Sequence, residues 1–349
     1  MKTIVSFCLP VYNVRDYLEP CIKSIYEQGL ECFEIICVDD CSTDGSREEL
    51  ERLADAYPAI KVIHNEQNSG VSYTRNCAME NASGDYIWFV DPDDLLAPDA
   101  AKVFLRVAKE TGAEAVLGNL YYFYDGSTPR IEHSGSGTYK RVDFSSPREF
   151  YCSSDQNGKT AFGVWLGPFS RQFLIDRQIC FDERLSTLED YTFYFCVGLH
   201  STNIIRIDYV GYLYRIRAGS LSSRNAATKY VGRFECTKTV LNIYSSLRKM
   251  PEFVNNSRAA EAHITQMSEF AAIYLSAVTD SSYVRRELSG LKKGGFYPYQ
   301  HTEDAGFVTH KKRTAFVIKN ILPYEPLFWL FHFACRIRYQ LAVVKQRKK

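Results

Sequence analysis

Over residues 4–96 the chain alternates unbroken apolar runs with segments of helical period, and few architectures accept that alternation. IVSFCLPV (residues 4–11) and FEIICVDD (residues 33–40) are β-prone runs without polar alternation, the kind buried on both faces of a parallel sheet. Between them Leu18, Cys21, Ile22 and Ile25 recur at i, i+3, i+4 and i+7, one face of a helix. Ser46 followed by Glu49 predicts a capping box opening a second helix, with an apolar stripe at Leu50, Leu53, Ala54 and Tyr57. The strand-like IKVIHN follows, then a third helix opened by Gly70 and closed around Gly84, then the strand YIWFV. A βαβαβαβ order predicts an α/β fold: a mostly parallel sheet flanked by helices, with ligands at the carboxyl ends of its strands.

Those strand ends are acidic. Asp39 and Asp40 close one strand, and Asp91, Asp93 and Asp94 follow another within four residues. Carboxylates gathered in one crevice repel and raise one another's pKa, so a counter-ion is expected. Oxygen donors without nearby His or Cys favour a hard cation, Mn²⁺ or Mg²⁺, whose other positions are filled by water and phosphate oxygens. Taken singly, Asp94 or Asp99 also reads as a helix cap.

Charge is distributed unevenly along the chain. Residues 1–100 hold nineteen Asp and Glu against seven Lys and Arg, whereas residues 310–349 hold ten Lys and Arg against one Glu. The acidic front half argues against a nucleic-acid partner, which needs clustered cations. The eleven cysteines include no CxxC pair, so reduced, buried thiols are expected. MKTIVSFCLP has no apolar stretch long enough for a signal peptide, which predicts a cytoplasmic chain.

LPVYN, VDDCSTDGS, NSGVSYTRN, FVDPDD, LED and YRIRAGSLS, in this order, resemble the motif series of the family 2 glycosyltransferases of the GT-A fold, of the bacterial surface-polysaccharide type. The resemblance covers residues 4–223. It implies a UDP-sugar donor, a divalent metal, and inversion at the anomeric carbon by direct displacement. Residues 1–223 then form the GT-A domain, with a nucleotide-sugar half over about 1–123 and an acceptor half over about 124–223. Residues 224–349 form a helical C-terminal region.

Carried over by motif, Pro10, Val11 and Tyr12 lie against the nucleotide, and Asp39 or Asp40 accepts a hydrogen bond from the base. Asn68, Gly70 and Arg75 match a stretch in which Gly lets the backbone approach and Arg bonds base or phosphates. Asp91, Pro92 and Asp93 lie in the nucleotide-sugar site, Asp91 facing the ribose, and Asp93 leads the metal ligands, with Asp91 and Asp94 as further candidates. Asp190 matches the family's base, with Glu189 in reserve. Where many relatives carry His this chain has Arg217. Arg cannot bind a metal but can clamp a phosphate, so Arg215 or Arg217, with Ser220 and Ser222, is expected to close over the diphosphate.

Residues 124–143, rich in Gly, Ser and Thr, predict a loop or hairpin, and Trp165 suits either a sugar platform or the core. The apolar run at residues 327–335 is too short to cross a bilayer, which takes about 20 residues. Its basic, aromatic surroundings over residues 310–349 predict a helix lying on an anionic membrane, with docking on its own domain or a second subunit as the alternative. A homo-oligomer through the C-terminal helices is therefore also open. The combined expectation is an enzyme on the inner face of the cell membrane that extends a glycan or lipid-linked glycan of a capsule or O-antigen. Two rivals stand beside it. A nucleotidyltransferase should show a Gly-rich phosphate loop, which LPVYNVRD lacks, and a non-catalytic binder has no need of Glu189 and Asp190.

Overall fold

The computed structural model describes residues 4–131, 135–142, 153–154, 160–161, 163–217, 226–278, 280–299 and 325–333. The chain divides into two compact units, one of Met1–Phe144 with Glu149–Ala218 and one of Ser145–Arg148 with Gly219–Lys349.

The first unit opens with β1 (Val5–Val11), α1 (Arg15–Tyr26), β2 (Phe33–Asp39), α2 (Ser46–Ala56), β3 (Ile60–His64), α3 (Val71–Glu80) and β4 (Tyr86–Phe89). It continues with β5 (Leu95–Leu96), α4 (Ala100–Thr111), β6 (Ala115–Tyr124), β7 (Tyr139–Val142), β8 (Ser153–Ser154) and β9 (Thr160–Ala161). β10 (Phe169–Ser170), α5 (Arg171–Asp176), α6 (Glu189–His200) and β11 (Ile204–Ile216) complete it. One mixed sheet has the order β3-β2-β1-β4-β10-β6-β11-β5, with β7 beside β11. β3, β2, β1, β4, β6 and β11 run one way, while β10, β5 and β7 run against their neighbours.

The parallel run is as dry as its sequence suggests, with Val5, Phe7, Leu9 and Val11 of β1 and Ile35 and Cys37 of β2 in one core with Trp88 and Phe104. Truncating a side chain as deep as Trp88 costs about 3–5 kcal/mol. Gly84, just before β4, is required by this packing, because a Cβ there would stand 2.7 Å from the Ser6 nitrogen. Trp165 belongs to the core as well, stacked on Tyr212 at 4.6 Å between ring centroids.

Three local expectations change. No capping box opens α2: Gly45 is the cap residue, and the Ser46 hydroxyl bonds Asp44 and the Val14 N–H, tying the β2–α2 loop to the end of β1. α3 ends at Glu80, four residues before Gly84. The expected loop over 124–143 contributes β7 to the sheet edge, paired antiparallel with β11, with Ser136 and Gly137 bonded to Asp208. Its residues 132–134 and 143 lie outside the described residues.

In the second unit, α7 (Ala226–Leu247), α8 (Pro251–Asn255), α9 (Ser257–Ala277) and α10 (Ser281–Lys293) precede a helical segment at residues 325–333. That segment docks on its own unit: His332 bonds the Ser276 carbonyl and the Ser281 hydroxyl, and Glu325 pairs with Lys292. The rest of the basic tail lies outside the described residues. Among those described, no helix is long and apolar enough to cross a membrane.

Candidate active site

Because β1, β2, β3 and β4 are parallel neighbours, their carboxyl ends share one edge, where Val11 stands beside Asp39 and Asp39 beside His64. Successive side chains at a strand end point apart, and the two aspartates there have separate partners. Asp39 accepts from the Ser42 N–H (3.1 Å) and Arg47 Nε (3.1 Å), with His64 Nδ1 at 3.4 Å. Burial works to raise its pKa, but these donors bring it below the usual carboxylate range. Asp40 takes Asn65 Nδ2 and the backbone N–H groups of Ser69 and Gly70, each at 2.8 Å. Gly70 has φ +88°, a conformation that favours glycine, so the loop over 68–70 is fixed by Asp40 and permitted by Gly70. Asn68 and Tyr12 are exposed, and Pro10 is half-buried. The Val11 side chain is in the core, and its carbonyl already accepts from Asp40 N–H.

Past β4 the chain turns through Asp91, Pro92, Asp93 and Asp94, with Asp94 N–H donating to the Asp91 carbonyl. Arg75, in α3, reaches this turn from below and is 3% exposed. Its Nη2 donates to Asp91 Oδ1, and its Nη1 to both Glu189 Oε1 and Asp190 Oδ1, all at 2.9 Å. The guanidinium also lies 5.3 Å from the Phe181 ring centroid. Burial disfavours its charge, yet Asp190, Asp91 and Glu189 more than offset this and keep it ionised.

α3 also delivers the two acidic residues of α6. Ser72 Oγ donates to the Leu185 carbonyl, and Asn76 both donates to the Phe181 carbonyl and accepts its N–H. Leu188, just before Glu189, holds φ +67°, a conformation rare for a branched residue. Burial pushes the Asp190 carboxyl up to about 8, with Arg75 opposing and Glu189 and Asp91 adding to the rise. Its side chain is 20% exposed, so one edge reaches solvent. A carboxylate with a raised pKa at a wet edge is suited to accept a proton.

β5 pairs antiparallel with β11 and brings the end of β11 over the aspartate turn. Asp94 is nearly fully buried and spends its carboxylate on the Arg215 N–H (2.6 Å) and the Tyr212 hydroxyl. Burial, then Asp93 and Asp91, raise its pKa well above the ordinary range. Asp93 Oδ2 meets Arg217 Nε at 2.7 Å. Burial and Asp91 raise the Asp93 pKa, and Arg217 opposes them. Among the described residues no three His, Cys, Asp or Glu side chains gather as a metal cage. Asp91 and Asp93, partly exposed and offering oxygen alone, still fit a hard cation that takes one or two carboxylates and draws its other ligands from water and phosphate.

A profile described as Glycosyl transferase family 2 matches residues 6–176, from β1 through the aspartate turn to α5. Residues 6–176 form a glycosyl transferase family 2 domain. The chain is 32% identical over 222 residues to Glycosyltransferase GlyA of Streptococcus pneumoniae, covering 62% of this chain and 31% of that one. It is 39% identical over 119 residues to a Poly(ribitol-phosphate) beta-glucosyltransferase of Bacillus spizizenii, covering 33% of this chain and 19% of that one. The chain thus spans less than a third of the length of either relative. The structure of S. aureus TarS 1-349 in complex with UDP-GlcNAc aligns at TM-score 0.61 and 18% identity, over 97% of this chain and 92% of that one, which is a likeness of fold.

The structure brings Arg75 and Asp91 of this domain together with Glu189 and Asp190, which follow it in the chain, and joins Asp93 to Arg217. Ser220 and Ser222 lie outside the described residues. The sequence reading missed Arg47 and His64 on Asp39, Tyr212 beneath the aspartate turn, Asn76 under the α6 loop, and Tyr17, which carries Arg217 over its ring at 4.9 Å. Asn76 had a signal, since it follows Arg75 at the end of NSGVSYTRN. The others are brought in by pairings that no local pattern encodes.

Proposed function

We propose that the chain is an inverting glycosyltransferase that moves a sugar, a hexose or N-acetylhexosamine, from a UDP-sugar to a glycan hydroxyl in surface-polysaccharide synthesis. One observation carries the reading: a single guanidinium, Arg75, holds Asp91 on the donor side and Asp190 on α6 at hydrogen-bond distance. The nucleotide then lies along the ends of β1 and β2 against Pro10 and Tyr12, with Asp39 facing the base and the loop over 68–70 beneath it. The family 2 domain, the name of the Bacillus spizizenii relative, a Poly(ribitol-phosphate) beta-glucosyltransferase, and the UDP-GlcNAc bound to the fold neighbour TarS support this choice.

Asp190 takes the proton of the acceptor hydroxyl as its oxygen attacks the anomeric carbon and the bond to the diphosphate breaks. One base opposite one leaving group gives one displacement and hence inversion, the geometric rule that separates the two glycosidase classes. Asp91 and Asp93 would hold Mn²⁺ or Mg²⁺, which when bound supplies Lewis-acid neutralisation of charge on the departing diphosphate. Arg217 and Arg215 line the same side of the cleft and offer cationic donors to phosphate oxygens.

The acceptor reading extends to a lipid-linked glycan on the cytoplasmic face of a membrane. The helical segment at 325–333 supports it, because Leu327, Leu330 and Phe333 are 40%, 66% and 62% exposed on the side away from His332, and basic sequence lies on both sides of the segment. Leu330→Glu with Phe333→Glu should abolish pelleting with phosphatidylglycerol vesicles, and unchanged pelleting would exclude this face.

Incubation with a panel of UDP-sugars, Mn²⁺ and a lipid-linked acceptor pool should release free UDP. Release of pyrophosphate would favour a nucleotidyltransferase, and binding without turnover a non-catalytic binder.

A further inference from the structure

Arg217 does more than line the cleft. Its Nε sits 2.7 Å from Asp93 Oδ2, and the two side chains are only 16% and 21% exposed. The guanidinium is braced rather than loose. It lies over the Tyr17 ring at 4.9 Å, and Arg215 approaches the same ring at 5.2 Å while its Nε donates to the Asp93 carbonyl at 2.7 Å. Tyr17 is held in turn, its hydroxyl donating to Asp125 Oδ2 at 2.9 Å, and Arg215 Nη1 reaches Asp125 Oδ1 at 3.4 Å. A positive group is therefore built onto the carboxylate that the reading above gives to the divalent cation.

We infer that Arg217 is a latch on Asp93, occupying the cation's carboxylate until a diphosphate draws the guanidinium away, so that metal and nucleotide bind only weakly apart and strongly together. The inference rests on the proposed metal-assisted, UDP-dependent reading. Its physics is competition between like charges. A divalent ion on Asp93 would share a carboxylate whose Oδ2 Arg217 already bonds, and would stand within a few ångströms of a permanent cation. A diphosphate offers the guanidinium stronger, bidentate acceptors, releases Asp93, and contributes oxygens to the incoming ion. A histidine at this position could ligate the ion when neutral, whereas arginine can only exclude it or yield to it. Two ligands that each remove the same obstacle bind with positive coupling, and by linkage the coupling is reciprocal.

The test is direct Mn²⁺ binding to the full chain, read as loss of the free-ion electron paramagnetic resonance signal, with and without UDP, in the wild type, Arg217→Ala and Arg217→Gln. Thermal melting shows that each variant is folded. Without UDP, both variants should bind Mn²⁺ about tenfold more tightly than the wild type, and the tightening caused by UDP should shrink by the same factor. Variants no tighter than the wild type without UDP, with the UDP effect intact, would overturn the latch while leaving the metal site standing. No Mn²⁺ binding by the wild type even at saturating UDP would overturn the metal reading itself, and the latch with it.

Discussion

At the end of β2, Asp40 draws its three hydrogen bonds from residues 25 to 30 positions away, two of them backbone N–H groups that stay in place whatever binds. At the end of β4, Asp91, Asp93 and Asp94 are met by side chains and backbone from other elements: Arg75 at 16 positions, Arg215 at 121 and Arg217 at 124. Arg75 in turn joins Asp91 to Glu189 and Asp190, more than 110 positions further along. Both ends are acidic groups after a buried strand, two aspartates at the first and three at the second. At the first, Asp40 is neutralised by fixed dipoles and shapes a loop. The second is balanced by the guanidinium groups of Arg75 and Arg217, and it is the end that carries the proposed chemistry.

Arg75→Met breaks the contrast most severely. Removing the shared cation from three partly buried carboxylates should cost about 3–5 kcal/mol in urea unfolding. A loss below about 1 kcal/mol would mean that the cluster is held by something else. Asp190→Asn comes next: kcat should fall about 10²–10⁴-fold with the melting temperature preserved, since a neutral isostere avoids the burial cost of the charge. Asp40→Ala should show the reverse pattern, losing about 1–3 kcal/mol of stability by leaving buried donors unpaired. Equal loss of kcat in both variants at unchanged stability would erase the distinction drawn here.

The pH profile gives a smaller effect. Burial favours the neutral acid of Asp190, so its proton leaves only near pH 8, and kcat should climb about tenfold per unit below that value and level off above it. The same group binds a proton in the folded chain but not in the unfolded one between its ordinary 3.8 and about 8, so its contribution to stability is present at low pH and lost as pH rises through that window. A flat kcat from pH 6 to pH 9 would remove Asp190 as the base. Arg47→Ala should do least, under about 1 kcal/mol, because Arg47 is well exposed where it meets Asp39.

Periodicity sufficed for the first half of the fold, because β1 to β4 and the helices between them are locally consistent and adjacent in space. It failed where distant segments meet. β10 enters the sheet antiparallel between β4 and β6 with only Phe169 and Ser170, too short a stretch to carry a period. Among site residues, the carboxylates were legible because acidic clusters at strand ends stand out. Arg75 was legible as a residue but not in its role: nothing near it announces that Asp190 will lie on the same guanidinium. Asp94, offered with Asp93 as a metal ligand, is nearly fully buried and bonded to the β11 backbone at Arg215, an outcome set by the β5–β11 pairing.

The central claim is that one cleft holds donor and base on opposite arms of Arg75. A crystal structure of the full chain with UDP and Mn²⁺ tests it most directly. The account predicts Mn²⁺ between the diphosphate and Asp91 and Asp93, Arg217 moved from Asp93 to a phosphate oxygen, and Asp190 facing the emptied sugar position. Nucleotide and metal bound together at any other surface would contradict it.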